Sequence, residues 1–236
     1  MEALSRNKIK WVHSLRMKKN RNVEGVFVIE GEKIVHEVIT NYPDLIVLIA
    51  TTDASFSAEN CFLIDDKEMK RLSQFKTHSP ILAVIKIPEV KPNNNGLILA
   101  LDGVQDPGNL GTIIRTADWF GIEHIICSRD TADAYTPKVV QASMGSIFRV
   151  PISYVELTEF IPTLDRPVFG ALLEGRNLYE QELYEQAVLV MGSEGQGISK
   201  DVHALIDHPV LIPRKGGAES LNVSIATAVI LSEFRK

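Results

Sequence analysis

Three segments of the sequence place polar side chains directly after an apolar run, where a strand would end and a ligand could bind. The first segment holds Asn109 and Arg115, the second holds Glu194, and the third runs from residue 212 to residue 224. In an open parallel sheet, ligands bind at the carboxyl ends of the strands. We therefore expect the three segments to converge on one crevice that offers a guanidinium, a carboxylate and amide groups for hydrogen bonding.

The first segment predicts a turn followed by a helix. Pro107-Gly108 is typical of a turn, and Asn109 takes the position of a helix cap before a helix over residues 110–120. Arg115 lies two residues beyond Ile113, about 200° around the helix, so it points away from the predicted buried face. A capped helix with a solvated arginine fits the same pattern, and that alternative stays open at this point.

The second segment is rich in glycine, with the order G-x-x-G-x-G over residues 192–197. This order is not the G-x-G-x-x-G fingerprint of dinucleotide-binding proteins, and the chain has no G-x-x-x-x-G-K-[ST] phosphate loop. A turn of small residues lets backbone amides approach a ligand closely, and Glu194 supplies its only charge. A tight connection between a strand and a helix explains the same residues.

The third segment ends at a helix predicted over residues 222–234. Ser220, Asn222 and Ser224 crowd the start of this helix. Polar side chains and free backbone amides at a helix start can hold a ligand. The alternative is that these residues only cap the helix, but capping would need only one of the three polar side chains.

Strands and helices alternate around these segments and divide the chain in two. Over residues 96–236 the alternation predicts an α/β domain with a mostly parallel sheet and helices on both faces. Residues 1–90 show a smaller α/β pattern that begins with a helix over residues 7–19. Pro88, Pro92 and the run Asn93-Asn94-Asn95-Gly96 predict a linker over residues 91–95 between the two domains.

The charge of the chain is uneven. Its 236 residues carry a net charge of −5, but the first 25 hold seven basic and two acidic residues, a local charge of +5. A basic segment on an acidic body can approach a phosphate backbone without the whole protein being basic. A solvated amphipathic helix would show the same charges.

Composition excludes several classes of protein. No apolar run reaches the ~18 residues that a membrane helix needs, and the first residues lack the order of a secretion signal. Cys61 and Cys127 are too few for a disulfide framework, and the six histidines show no ligand spacing. We therefore expect a cytoplasmic protein without a membrane span or a metal site.

Together, the three segments resemble the three motifs of the SpoU (TrmH) family, the RNA ribose 2′-O-methyltransferases of the SPOUT class. The matching runs are Asn109–Ala117, Gly192–Gly197, Ile212-Pro213 and Ser220–Ser224, which occur in the order of the family and span most of residues 96–236. Residues 1–90 resemble more loosely the family's small RNA-binding domain, which is similar to a ribosomal protein.

The resemblance implies features that composition cannot show. It implies a C-terminal trefoil knot, a homodimer with its active site near the subunit interface, and S-adenosyl-L-methionine as cofactor. By position, the residues that would contact the cofactor, mainly through backbone groups, are Gly192, Ile212 and Leu221. The implied catalytic residues are Asn109, Arg115, Glu194, Ser220 and Asn222.

The implied activity is methylation of a ribose 2′-hydroxyl in structured RNA. A separate N-terminal domain favours ribosomal RNA over transfer RNA. Two other classes of protein share parts of the pattern: a non-catalytic RNA-binding or ribosome-associated protein, and a nucleotide-dependent oxidoreductase on a doubly wound sheet. The presence of Arg115, Glu194 and Asn222 disfavours the first, and the missing glycine fingerprint disfavours the second.

The chemistry assigns a role to each implied catalytic residue. The arginine of the family is often described as a general base, but a guanidinium with a pKa above ~12 is a poor base. We therefore assign Arg115 to binding the substrate phosphate and stabilising the developing alkoxide. Ser220 would bind the same phosphate, while Asn109, Glu194 and Asn222 would hold Arg115 and the loops in place.

Overall fold

The computed structural model describes residues 2–89, 91 and 94–236. By its internal contacts the chain divides into two compact units. The first unit comprises Met1–Glu89 and Tyr135–Gly145, and the second comprises Val90–Ala134 and Ser146–Lys236. Among the described residues, no helix has both the length and the apolar character needed to cross a bilayer.

The strands and helices are numbered in chain order. The strands are β1 (Glu2–Ala3), β2 (Val26–Glu30), β3 (Ile46–Thr51), β4 (Cys61–Leu63), β5 (Ile81–Lys86), β6 (Ile98–Asp102), β7 (His124–Cys127), β8 (Ile152–Tyr154), β9 (Val168–Asn177), β10 (Val188–Gly192) and β11 (His208–Leu211). The helices are α1 (Arg6–Ser14), α2 (Lys18–Glu24), α3 (Glu32–Asn41), α4 (Asp66–Leu72), α5 (Pro107–Trp119), α6 (Pro137–Ser143), α7 (Leu157–Phe160), α8 (Lys200–His203) and α9 (Val223–Phe234). Short 3₁₀ turns cover Pro43–Leu45, Ser146–Phe148, Ile161–Leu164 and Leu178–Glu180.

The first unit is built on a five-stranded mixed sheet in the order β1-β4-β3-β5-β2. β4 pairs in parallel with β1 and β3, whereas β5 runs antiparallel to β2 and β3. Apolar residues of β2, β3 and β5 form one core with the inward face of α1, where Ile9 and Val12 are buried. The polar residues of α1 are left on its outer face.

The single helix predicted over residues 7–19 is wrong, because α1 and α2 are separate helices. Side chains of α2 bind the last carbonyl of α1 and the carbonyls of the two residues that follow it. The buried guanidinium of Arg21 donates from Nη1 to the carbonyls of Leu15 and Arg16 at 2.8 and 2.9 Å, and Asn20 donates to that of Ser14 at 2.9 Å. These side-chain bonds end α1 at a point that helix periodicity cannot show.

Residues 135–145 belong to the first unit, although their position after the predicted linker had placed them in the second domain. The ring of Tyr135 lies 4.9 Å from that of Phe27 on β2, and α6 buries Val139 and Val140. This apolar packing explains why these residues group with the first unit by their contacts. The predicted linker includes Pro92 and Asn93, which lie outside the described residues.

The second unit is built on a six-stranded sheet in the order β11-β9-β10-β6-β7-β8. Every neighbouring pair is parallel, which confirms the predicted α/β class with a parallel sheet. β6 is fully buried, as expected of a strand covered on both faces. Ile98 and Ala100 of β6 pack in one cluster with residues of α7 and α8, and α5 packs against α9.

The order of the strands reverses beside β6. The chain leaves β6 towards β7 and β8, and β10 later enters on the opposite side of β6. Asp102 at the end of β6 is therefore in register with Gly192 at the end of β10. Such a reversal opens a crevice at the carboxyl ends of the strands, the usual ligand site of this architecture.

Candidate active site

The three polar segments meet at Glu194, directly beyond the carboxyl ends of β6 and β10. Its Oε1 accepts hydrogen bonds from Nδ2 of Asn109 at 3.0 Å and from Nδ2 of Asn222 at 2.5 Å. Nδ2 of Asn222 also donates to Oδ1 of Asn109 at 2.9 Å. Residues separated by 85 and 113 positions in the chain are thereby joined, as expected from the sequence of these three segments.

The predicted cap of α5 is wrong, and the difference matters for the site. The helix begins at Pro107, and the carboxylate of Asp106 caps it by accepting the backbone N–H of Asn109 at 2.9 Å. Aspartate is a strong N-cap residue, and proline is favoured at the first position of a helix. Because Asp106 takes the capping role, the side chain of Asn109 is available to bond Glu194 and Asn222.

Asn222 joins the third segment to the other two while it caps α9. Its Oδ1 accepts from the backbone N–H of Ser224 at 3.0 Å and from the hydroxyl of Ser224 at 2.6 Å. Its Nδ2 faces Glu194, whose Oε1 also receives the backbone N–H of Val223 at 3.4 Å. One side chain therefore fixes both the start of a helix and its distance from the loop after β10.

Gly192 lies where the loop after β10 folds back over the strand. A Cβ atom at this position would lie 2.2 Å from the carbonyl carbon of Gly197 and 2.3 Å from the nitrogen of Ile198. Ser193 and Gly197 exchange two backbone hydrogen bonds of 3.0 and 2.9 Å, which close the loop tightly. Any larger residue at 192 would push this loop away from Asn109 and Asn222.

Two of the implied catalytic residues are not part of this network. Arg115 projects from the exposed face of α5, opposite the buried Ile113, as predicted. Ser220 is exposed in the segment before α9. Neither side chain makes a hydrogen bond or ion pair with any residue that the structure describes, so the expected contact of the network with Arg115 is not observed.

The implied cofactor residues lie at the ends of β10 and β11 and before α9. Ile212 follows β11 and is half-buried, whereas the side chain of Leu221 is 48% exposed. Residues 214–222 are all exposed, and within the described part of the chain the backbone of Leu221 makes no hydrogen bond. This segment offers backbone donors, acceptors and apolar surface to a ligand.

A cavity of about 300 Å³ opens beside the network and is lined by the loops after β6, β7 and β10. Four of its polar residues had no role predicted from the sequence: Asp102, Gln105, Asp106 and Asp130. Asp102 is 7% exposed, and its Oδ2 accepts the backbone N–H of Ser199 at 2.7 Å. The Asp-Pro pair at 106–107 and the position of Asp130 after a strand were signals that could have identified two of them.

The titratable residues with strongly shifted pKa lie in the core. Burial lowers the pKa of His124 to about 4, and its ring contacts Oδ1 of Asn94 and Oγ of Ser153, both at 2.9 Å. Burial raises the pKa of the Cys127 thiol well above its ordinary value. Within the described residues, no group of three or more histidine, cysteine or acidic side chains could hold a metal ion.

Comparison with known proteins gives matches over both parts of the chain. Residues 96–232 match the SpoU rRNA Methylase family, and residues 6–83 match the MRM3-like substrate binding domain. The chain is 31% identical over 245 residues to the 23S rRNA (guanosine(2553)-2'-O)-methyltransferase RlmP of Bacillus subtilis, and the alignment covers 100% of this chain and 98% of the relative.

Solved structures of RNA methyltransferases are also similar to this chain. A chain from Porphyromonas gingivalis assigned to the TrmH family of RNA methyltransferases superposes with a TM-score of 0.87 at 42% identity and covers 98% of both chains. An AdoMet-bound rRNA methyltransferase from Sinorhizobium meliloti superposes with a TM-score of 0.84 at 28% identity, over 100% of this chain and 96% of the other. The chain therefore belongs to the SpoU family of rRNA methylases.

Proposed function

We propose that this protein transfers a methyl group from S-adenosyl-L-methionine to a ribose 2′-hydroxyl of ribosomal RNA. The observation that carries the proposal is the hydrogen-bonded junction of Asn109, Glu194 and Asn222 at the strand-order reversal. The B. subtilis relative is named for a guanosine of 23S rRNA, and it aligns with the whole of this chain. We therefore place the target at a guanosine of the large-subunit RNA.

The residues present fit the proposed cofactor. Gly192, Ile212 and Leu221 would hold it, because the exposed segment 214–222 and the tight loop after β10 present backbone groups next to small side chains. When bound, S-adenosyl-L-methionine supplies the methyl group. The carboxylate of Glu194 gives this edge of the sheet a negative charge that suits a sulfonium cation.

Arg115 acts on the RNA. Its exposed guanidinium presents a rigid fork of donors that matches a phosphate group. From that position it stabilises the negative charge that develops on the ribose oxygen as its proton passes to solvent water. Ser220 donates its hydroxyl to the same phosphate. Both side chains are uncommitted within the described chain, which is what binding an external ligand requires.

Asn109, Glu194 and Asn222 act by positioning. Hydrogen bonds to a carboxylate are about twice as strong as neutral ones, so Glu194 holds the starts of α5 and α9 firmly. Correct placement of reacting groups can supply ~7–11 kcal/mol of a reaction barrier. Fixed loops would therefore contribute to the rate even though these three side chains need not touch the reacting atoms.

The first unit is proposed to bind the RNA substrate. Arg6, Lys8 and Lys10 are exposed on α1, opposite the buried Ile9 and Val12. Their charge is opposite to that of the RNA backbone, and the same residues fall within the match to a substrate binding domain.

The double substitution Arg6→Gln/Lys10→Gln tests this assignment. It should weaken binding of ribosomal RNA several-fold and make the salt dependence of binding less steep, since each lost phosphate contact removes about 0.7–0.9 from the slope. Lys200→Gln, at an exposed site in the second unit, is the matched control. Unchanged affinity and slope in the double variant would refute the assignment.

The trefoil knot, the homodimer and the cytoplasmic location are also proposals. The knot is supported by the path of the C-terminal segment, which leaves the edge strand β11 and returns to Glu194 beside β10, two strands away. The homodimer is supported by the apolar side chains of Leu221 and Ile225, which are 48% and 54% exposed on either side of the active-site residue Asn222. The rRNA substrate supports a cytoplasmic location.

Methyl transfer from S-adenosyl-[methyl-³H]methionine tests the function. We expect incorporation into unmodified 23S rRNA and much less into bulk transfer RNA, with Arg115→Ala inactive on both. Preferential labelling of transfer RNA would show that the substrate is transfer RNA and not ribosomal RNA. A chain that binds no S-adenosyl-L-methionine in calorimetry would instead be a non-catalytic RNA-binding protein.

A further inference from the structure

A second cavity, of about 350 Å³, lies entirely within the first unit. Its walls come from β2, from the start of α3, from the loop after α4 and from α6 with the residue that follows it. Most of the lining residues fall within residues 6–83, which match a substrate binding domain. A cavity of this volume can hold a small ligand or a single nucleoside.

The walls of this cavity are largely apolar and include an aromatic ring and a thioether. Val28 and Val140 line it as buried side chains, and Phe75 is half-buried. Met144 also lines it and is 58% exposed. The φ of Met144 is +50°, a backbone conformation in which glycine is usual at the end of a helix. Folding alone therefore does not favour a methionine here, whereas an apolar ligand in the cavity would contact its side chain.

The loop that carries Phe75 is fixed by bonds within the first unit. Oε1 of Glu30 accepts the hydroxyl of Ser73 at 2.7 Å and the backbone N–H of Ser79 at 2.9 Å. The hydroxyl oxygen of Ser73 in turn accepts the backbone N–H of Phe75 at 3.1 Å. The charge of Glu30 is thereby used to hold the loop, and the aromatic ring is positioned before any ligand arrives.

Polar side chains at the cavity are left without a partner by the described part of the chain. The amides of Gln74 and Gln141 and the ammonium of Lys33 make no hydrogen bond or ion pair with any described residue. Each amide offers both a donor and an acceptor. The carboxylates of Glu32 and Glu37 also line the cavity, so its charge does not favour a phosphate group. The ligand that fits these walls is neutral, with apolar faces and a polar edge.

We propose that this cavity binds one unpaired base of the RNA substrate. The inference rests on the proposed function, because that function makes RNA the ligand of the first unit. An unpaired base has two faces that stack on aromatic side chains and an edge of hydrogen-bond donors and acceptors. Phe75 and Met144 contact its faces, and Gln74 and Gln141 bond its edge. Since an amide both donates and accepts, the site recognises an unpaired nucleotide and not one type of base.

Binding of an unmodified 23S rRNA transcript to the full chain tests the proposal. Phe75→Leu keeps an apolar side chain but removes the ring, so we expect the Kd to rise about tenfold. The salt dependence of binding should not change, because a stacked base releases no counterions. Gln141→Ala should raise the Kd about threefold. Gln186→Ala, at an exposed site in the second unit, is the matched control and should bind as the wild type does.

The outcomes separate this proposal from its rivals. Wild-type affinity in both Phe75→Leu and Gln141→Ala would overturn it, and so would a less steep salt dependence in Phe75→Leu, which would indicate a phosphate site. Urea unfolding checks that Phe75→Leu is folded, and Gln141 is exposed, so its substitution should leave stability unchanged. If the wild type binds the transcript but transfers no methyl group to it, the proposed function fails while the base site stands. A wild type that does not bind the transcript would overturn the base site as well.

Discussion

The active-site edge of the second unit contains two regions that differ in how far the chain has completed them. In the inner region, Asn109, Glu194 and Asn222 bond one another at 2.5–3.0 Å. In the outer region, Arg115 and Ser220 are exposed and bond no described side chain. The chain alone builds the scaffold of the site, and it leaves Arg115 and Ser220, the groups that we propose bind the RNA, without a partner among the described residues.

The same sequence motifs therefore contain residues that hold the loops in place and residues that are left to bind a ligand. Loss of an inner residue should move loops, so it should affect the cofactor and the RNA together. Loss of an outer residue should weaken the contact with the RNA phosphate and slow the step in which charge develops on the ribose oxygen, and it should leave cofactor binding unchanged. The following predictions begin with the largest expected effect.

Arg115→Ala should give the largest loss. We expect methylation of rRNA to fall about 10²–10³-fold, because the donors that stabilise the developing alkoxide are removed, while the affinity for S-adenosyl-L-methionine stays within twofold. Single-turnover methylation and calorimetry measure the two quantities. Arg115→Lys, which keeps the charge but not the fork, should retain part of the activity. Full activity in Arg115→Ala would refute the assigned role.

Glu194→Ala should reduce methylation about 10–100-fold and should weaken cofactor binding as well, because the starts of α5 and α9 lose their common acceptor. Glu194→Gln should lose less, since it keeps an acceptor oxygen at the junction. Glu185→Ala, an exposed site outside the network, serves as the control. If Glu194→Ala slows catalysis but binds the cofactor normally, the distinction between inner and outer regions is wrong.

Gly192→Ala tests how tightly the inner region is packed. Its Cβ would fall 2.2–2.5 Å from the backbone of Gly197 and Ile198, so we expect about 1–3 kcal/mol lower stability against urea and weaker cofactor binding. Gly195 lies in the same loop, and a Cβ atom there would have no heavy atom within 4 Å. Gly195→Ala should therefore behave as the wild type. Similar losses in both variants would show that loop flexibility, and not close approach, matters.

His124 should affect stability without affecting the site. Its folded pKa of about 4 lies below the ordinary value of 6.5, so folding favours the neutral ring. Stability should fall as the pH drops from 6.5 towards 4, by up to about 3 kcal/mol, and should not change for this reason above 6.5. Urea unfolding across this range, compared between the wild type and His124→Gln, measures the effect. The exposed His203→Gln should keep the wild-type slope, and an equal slope in His124→Gln would contradict the assignment.

The convergence of the three segments could be predicted from the sequence, because the carboxyl ends of parallel strands share one edge. The detailed roles were harder to predict. The sequence predicts Asn109 as the helix cap because Pro107-Gly108 is typical of a turn, whereas the helix begins at Pro107 and Asp106 caps it. The helix predicted over residues 7–19 missed the break after α1. Arg21 stabilises that break from the next helix, α2.

The other differences between the predicted and the observed structure come from tertiary packing. Nothing local to residues 135–145 shows that Tyr135 packs against Phe27, more than a hundred residues earlier in the chain. Asp130 can be located after a strand, but its hydrogen bond with Ser128 and its closeness to Gly103 depend on the folded loops. Such features depend on several distant residues at once, so spacing in the sequence does not reveal them.

Nucleoside analysis of the labelled product tests the central claim most directly. Ribosomal RNA methylated by the purified protein with S-adenosyl-[methyl-³H]methionine is digested to nucleosides and separated by chromatography with mass detection. We predict that the label travels with a 2′-O-methylated nucleoside and disappears in Arg115→Ala. Label on a base, or equal labelling by Arg115→Ala, would contradict a site in which these three segments direct methyl transfer to a ribose oxygen.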